Sequence, residues 1–258
     1  MKRRHFTLAL ATLIITKLIT PFPTQAAELA KIKQRGYLIV AVKDNLRPLG
    51  YRDTQGNLVG LEIDIARQLA EELLGDRDAI VFKPVSNKER LKVILDHQAD
   101  IAIAKVTNTV PRRRIVNFSP YYYLDGTGVI TKNPNIKSVQ DLATAKIAVL
   151  YNSATIAIIR DRLPQAQLVG VNSYQEALKV LETETAAAFT GDITTLTGWI
   201  EEYPNYKLLP ERLSGEPLCI VMPKGLQYEE LRSKVYQTLL SWRKSGWLQE
   251  RINHYRLP

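Results

Sequence analysis

The chain has 258 residues, 35 lysines plus arginines against 26 aspartates plus glutamates, and a formal net charge of +9. Its 45% apolar content suits one large or two modest globular domains, and its basic residues are spread rather than clustered, so a nucleic-acid-binding face is not expected. A single cysteine rules out an intrachain disulfide, and no Cys/His spacing suits a metal.

Residues 1–26 read as an export signal that is removed near Ala26. Lys2, Arg3 and Arg4 precede a mostly apolar stretch from Phe6 to Ile19, and Thr24-Gln25-Ala26 is a small-x-small cleavage site. The expected destination is the periplasm. Arg3-Arg4-His5-Phe6 leaves a twin-arginine route open beside the general one. No cysteine follows the apolar stretch, so a soluble product without a lipid anchor is expected. Losing the four basic residues of this segment lowers the net charge to +5, which could favour anionic small molecules or an anionic membrane surface.

From Tyr37 the chain alternates strands and helices. Tyr37 to Val42 is a strand, Lys43 to Gly50 a Pro/Gly-punctuated loop, and Tyr51–Asp53 with Leu58–Gly60 a hairpin around Thr54-Gln-Gly-Asn57. Ile65, Leu69 and Leu73 with Ala66, Ala70 and Leu74 form a helical stripe. Ile80 to Pro84 is a strand and Glu89 to His97 a helix. Ile101 to Ala104 is a strand that stops abruptly at Lys105. Thr109 is placed to cap a following helix, and Pro111 suits its first turn.

A second set follows Tyr121. Ser138-x-x-Asp141 has the form of a capping box, and Lys146–Leu150, Gln167–Val171 and Ala186–Thr190 are strands. Ala154–Leu163 is a helix, Ser173-x-x-Glu176 opens another, and a third follows Gly191-Asp192 to about Glu202. Tyr206–Leu209 and Leu218–Met222 are strands, and Cys219 in the latter reads as a buried small hydrophobe. Helices over Tyr228–Trp242 and Trp247–Tyr255 end the chain. The repeated βα pattern predicts an α/β fold.

A strand end feeding a helix start at Thr107-x-Thr109-x-x-Arg112 offers hydroxyls, backbone donors and a guanidinium fork, which suits a carboxylate. Taken alone it reads more simply as a solvated basic turn. The combination of Gly56-Asn-Leu-Val-Gly60-Leu-Glu62-Ile-Asp64-Ile-Ala66, Ala99-Asp100, Thr107-x-Thr109-x-x-Arg112 and Asn117-Phe-Ser-Pro-Tyr121, in this order and spacing, resembles the extracellular solute-binding protein family 3. These are receptors that deliver polar amino acids to ABC transporters.

The resemblance implies a type II periplasmic binding protein, with two α/β lobes joined by two crossing segments and a ligand cleft between them. It puts lobe one at 27–124 plus 222–258 and lobe two at 125–221. It implies Arg112 and Thr107 for a ligand α-carboxylate, Asp192 for the α-ammonium, and Thr155, near a helix start, for further carboxylate donors. Tyr174 matches an aromatic position of acidic-amino-acid receptors. Arg90, with Lys43 beside it, matches the cations that meet a side-chain carboxylate, which favours glutamate or aspartate; neutral or basic ligands stay open. Asp192 alternatively reads as a helix N-cap, and Arg90 as a helix-surface arginine.

Lys105 departs from the family pattern, which has Gly, Ser or Thr there. Either it points outward or the ligand is an unusual anion. The implied partners are a small amino acid and a membrane permease, with the protein a monomer and no cofactor. An exported, dehydratase-like enzyme on the same scaffold is the alternative, although His97 and His254 stand outside any catalytic motif.

Overall fold

The computed structural model describes residues 28–151 and 153–258; the export signal read at 1–26 lies outside them. Strand Leu38–Val42 is buried along its whole length. Leu38, Val40 and Val42 join one apolar cluster while Ile39 and Ala41 join the one on the opposite face. A strand covered on both faces reads as a continuous apolar run, without alternation. It pairs in parallel with Ile80–Pro84 and Ile101–Ile103. The sheet order is Ile80–Pro84, Leu38–Val42, Ile101–Ile103, Glu216–Met222, Asn117–Asp125.

Helix Leu61–Leu74 covers one face through Leu61, Ile65, Leu69 and Leu73. Helices Glu229–Ser245 and Trp247–His254 add Leu231, Val235, Leu239 and Leu248 to the same core. The Tyr255 hydroxyl donates to Asp64 Oδ2 at 3.0 Å and ties the chain end to helix Leu61–Leu74. Asp100 is equally architectural: its Oδ2 accepts the Ile39 N–H at 2.7 Å and pairs with Arg35. Gly60, at φ 128, is required because an added Cβ would lie 2.3 Å from the Leu49 carbonyl oxygen.

The second half repeats the scheme in the order Gln167–Val171, Lys146–Leu150, Ala188–Asp192, Thr127–Thr131, Lys207–Leu208. The first three strands are parallel and Thr127–Thr131 runs antiparallel. Ile159 of helix Thr155–Arg162 lies in the core on one face; Ala177, Leu181, Leu196 and Trp199 of helices Tyr174–Glu182 and Ile193–Glu202 lie on the other. The Ser173 hydroxyl accepts the Glu176 N–H at 3.1 Å, and Glu176 reaches back to the Asn172 N–H at 2.7 Å.

The chain crosses between the halves twice, at Asp125-Gly126-Thr127 and ahead of Glu216. The crossings are bonded together: Thr127 N–H donates to Ser214 Oγ at 2.9 Å and Leu213 N–H to the Thr127 carbonyl at 2.8 Å. Sequence reasoning set the return at 222. Glu216–Met222 instead belongs to the first sheet, because Leu218, Ile220 and Met222 point into its core.

Two helices are shorter than expected. Over 89–97 only Lys92–Leu95 is helical, preceded by turns in which Glu89 accepts the Ser86 N–H. After Thr109 only Val110–Arg113 is helical, and the Thr109 hydroxyl makes no capping bond.

Candidate functional site

Where strand Ile101–Ile103 ends, Lys105 takes φ 51, a left-handed conformation uncommon for a residue carrying a Cβ. Two side chains hold it there. Its N–H donates to Glu62 Oε1 at 2.6 Å, and its carbonyl accepts from Arg90 Nη1, which also donates to the Ala104 carbonyl at 2.8 Å. Glu62 is fully buried and its Oε1 also accepts the Tyr122 hydroxyl. Burial pushes the Glu62 carboxyl above its ordinary range, against the pull of Tyr122, the Lys105 N–H and the Arg90 charge.

From this pinned backbone the Lys105 side chain crosses to the second half. Its Nζ lies 2.5 Å from Asp192 Oδ2, 3.4 Å from Thr195 Oγ1 and 3.7 Å from Asp125 Oδ2. Burial opposes the ammonium, but the two carboxylates outweigh it and raise its pKa. Of the two readings open to Lys105 from sequence, an outward side chain or an unusual anionic ligand, the outward side chain is excluded. The lysine points inward and is already paired by the protein.

Asp192 does stand at the N-cap position of helix Ile193–Glu202, yet its side chain makes no cap bond. Asp125 does that work from the crossing strand: its carboxylate accepts the Thr194 N–H at 3.1 Å and hydroxyl at 2.7 Å. Asp192 is thereby left to meet Lys105. Glu216, at the start of the returning strand, lies in the same field. Burial, then Asp192 and Asp125, push its carboxyl up, while Lys105 and Arg112 oppose.

The first half contributes the cations. Arg112, in the one-turn helix, donates from Nη1 to the Thr107 carbonyl at 2.9 Å. Arg90 sits close enough that burial and the Arg112 charge together lower its pKa. Lys43 is buried and donates to the Val85 carbonyl at 3.0 Å; burial, then Arg90, lowers its pKa. Among the described residues neither Arg90 nor Arg112 has a carboxylate at ion-pair distance, and their hydrogen bonds go to backbone carbonyls. Arg90 is thus a buttress of the Lys105 turn rather than a helix-surface arginine.

The expected site residues consequently fall into groups. Arg112, Thr107, Arg90 and Lys43 gather on one wall. Asp192 and Tyr174 face them from the other, and the Tyr174 phenol feels both Lys105 and Asp192. Its ring meets Phe189 and Trp199 edge-on. Thr155 keeps to its own turn, with its buried hydroxyl 2.8 Å from that of Ser153.

Beside the Lys105–Asp192 pair lies a cavity of about 510 Å³, lined by Asn45, Arg47 and Tyr51 from the first half and by Tyr174, Thr195 and Trp199 from the second. Among the described residues no His/Cys/Asp/Glu group is arranged for a metal. Sequence reasoning assigned no role to Glu62, Asp125 or Glu216. Glu62 is visible inside the motif Gly56–Ala66, whereas Asp125 lies outside the motifs and Glu216, beside a proline, carries no local signal.

The chain is similar in sequence and fold to known binding proteins. Over 195 residues the chain is 35% identical to the glutamine-binding protein of Geobacillus stearothermophilus, covering 74% of each chain. It is 32% identical over 200 residues to the ABC transporter glutamine-binding protein of Bacillus subtilis, covering 76% of this chain and 73% of that one. The solved structure of an ancestral cationic amino acid solute-binding protein superposes with a TM-score of 0.76 at 25% identity, over 88% of this chain and 98% of the other. Residues 38–257 match the bacterial extracellular solute-binding proteins, family 3. With two α/β halves, two bonded crossings and a charged cleft between them, this chain belongs to that family.

Proposed function

We propose that this protein binds a polar amino acid between its halves and delivers it to the membrane permease of an ABC transporter, with glutamate or aspartate preferred. The carrying observation is the sorting of charge across the cleft. Arg90 and Arg112 stand on the first wall with no carboxylate at ion-pair distance, Asp192 stands on the second, and Asp125 and Glu216 stand where the chain crosses between them. A guanidinium pair suits a ligand with two carboxylates, since forked donors match that geometry. Arg112 with Thr107 would take the α-carboxylate and Arg90, supported by Lys43, the side-chain carboxylate. Asp192 takes the ammonium beside Lys105, with Tyr174 at the rim and Thr155 as a further carboxylate donor.

Closure is expected to turn on the two crossings, because a cleft that gains contacts from both walls shifts toward its closed form. The reading includes export to the periplasm through the segment 1–26 and action as a monomer. No described helix is long and apolar enough to cross a membrane.

Glutamine is the second reading, carried by the two relatives named for it. A calorimetric screen of the twenty amino acids on unfolded and refolded protein decides. Tight glutamate or aspartate with weaker glutamine supports the first reading, and the reverse order supports the second. Binding of no α-amino acid refutes both. The bound compound should be recovered unchanged, and its chemical conversion would instead favour an enzyme.

A further inference from the structure

The carboxylates of Asp192, in the second half, and of Asp125, at the crossing, already have a cation. Lys105 Nζ is 2.5 Å from Asp192 and 3.7 Å from Asp125, delivered there by a backbone that Glu62 holds at the N–H and Arg90 at the carbonyl. Burial normally discourages a lysine ammonium, yet these two carboxylates keep this one charged. A ligand ammonium arriving at Asp192 must share those carboxylates with a like charge or displace the lysine.

The hydrogen-bond count points elsewhere. A lysine ammonium has three N–H donors and no acceptor. Asp192 takes one and Thr195, at 3.4 Å, a second. The third is left for an oxygen acceptor. An ammonium cannot fill that role, but a 2-oxo or 2-hydroxyl oxygen beside a carboxylate can.

We propose that the cleft accepts 2-oxo and 2-hydroxy carboxylates about as well as the corresponding amino acids, with Lys105 donating to the ligand's C2 oxygen while Arg112 holds the neighbouring carboxylate. Lys105 supplies from the protein the positive charge that an amino acid would bring. This rests on the reading of Arg112 and Arg90 as carboxylate-binding groups, and it adds Lys105 as the residue that sets what the ligand carries at C2.

The test is calorimetric titration of refolded protein with L-glutamate, 2-oxoglutarate and 2-hydroxyglutarate. If glutamine proves to be the tight ligand, 2-oxoglutaramate takes the place of the oxo acid. 2-Oxoglutarate is expected to bind within about tenfold of glutamate. The variant Lys105→Gly keeps the backbone N–H and carbonyl and adopts φ 51 without strain. It should lose at least about tenfold more affinity for the oxo acid than for glutamate, a shift in preference equivalent to about 1.4 kcal/mol.

An oxo acid more than tenfold weaker than glutamate in the unaltered protein overturns the inference and leaves the amino-acid reading intact. An unchanged preference in Lys105→Gly also overturns it. Binding of neither the amino acids nor their oxo analogues removes the carboxylate reading itself, and the inference with it.

Discussion

Replacing Arg90 by alanine tests whether this side chain serves both fold and ligand. Its Nη1 donates to the carbonyls of Ala104 and Lys105, and these hold a left-handed, Cβ-bearing residue in place. Hydrogen bonds to a charged group contribute about 1.5–3 kcal/mol each. One nitrogen serves both acceptors, and Arg90 is only half-buried. Its loss also relieves repulsion with Arg112. We therefore take a single such bond, about 2 kcal/mol. For a chain of this size that lowers Tm by about 4–8 °C.

Arg112→Ala removes one bond to the Thr107 carbonyl, with no strained residue behind it, so its Tm change should be about half as large. Its effect on binding should be greater, on the order of 30- to several-thousand-fold for every amino-acid ligand. Thermal melts followed by circular dichroism and calorimetric titrations of both variants with glutamate and glutamine make the comparison. An Arg90→Ala melt within about 1 °C of the parent would refute the buttressing argument. Equal loss of glutamate and glutamine in Arg90→Ala would refute its role in side-chain recognition.

Two further outcomes follow from the crossings and from Glu62. A Cβ at Gly126 would lie 2.1 Å from the Ser214 carbonyl oxygen, so Gly126→Ala must push the crossings apart at a cost of about 1–3 kcal/mol; an unchanged urea midpoint would show that they separate freely. Burial raises the Glu62 carboxyl above its ordinary value of 4.5, so above that pH the folded chain keeps a proton that the unfolded chain releases. Its contribution is full below pH 4.5 and is lost as pH rises through the raised value. Urea midpoints at pH 5 and pH 8 should differ more in the parent than in Glu62→Gln, and identical profiles would contradict the assignment.

Sequence by itself determined the strands whose two faces are both covered, such as Leu38–Val42, because a short continuous apolar run rich in β-branched residues has few other ways to be buried. It also determined the capped start of the helix Tyr174–Glu182, where Ser173 and Glu176 meet the backbone locally. Arg112 beside Thr107 was legible for the same reason, since the two lie only five residues apart in the chain.

What the tertiary structure decided depends on partners distant in the chain. That Glu216–Met222 returns to the first sheet follows from its bonding to Asn117–Asp125, roughly a hundred residues earlier. That Asp125 rather than Asp192 caps the helix Ile193–Glu202 follows from a strand end arriving beside Thr194. With the cap supplied from elsewhere, Asp192 turns to Lys105, 87 residues away, and no local pattern encodes that pairing. Charge at a site is set by which groups face one another across space, and for Lys105 and Asp192 the facing is made only when the two halves meet.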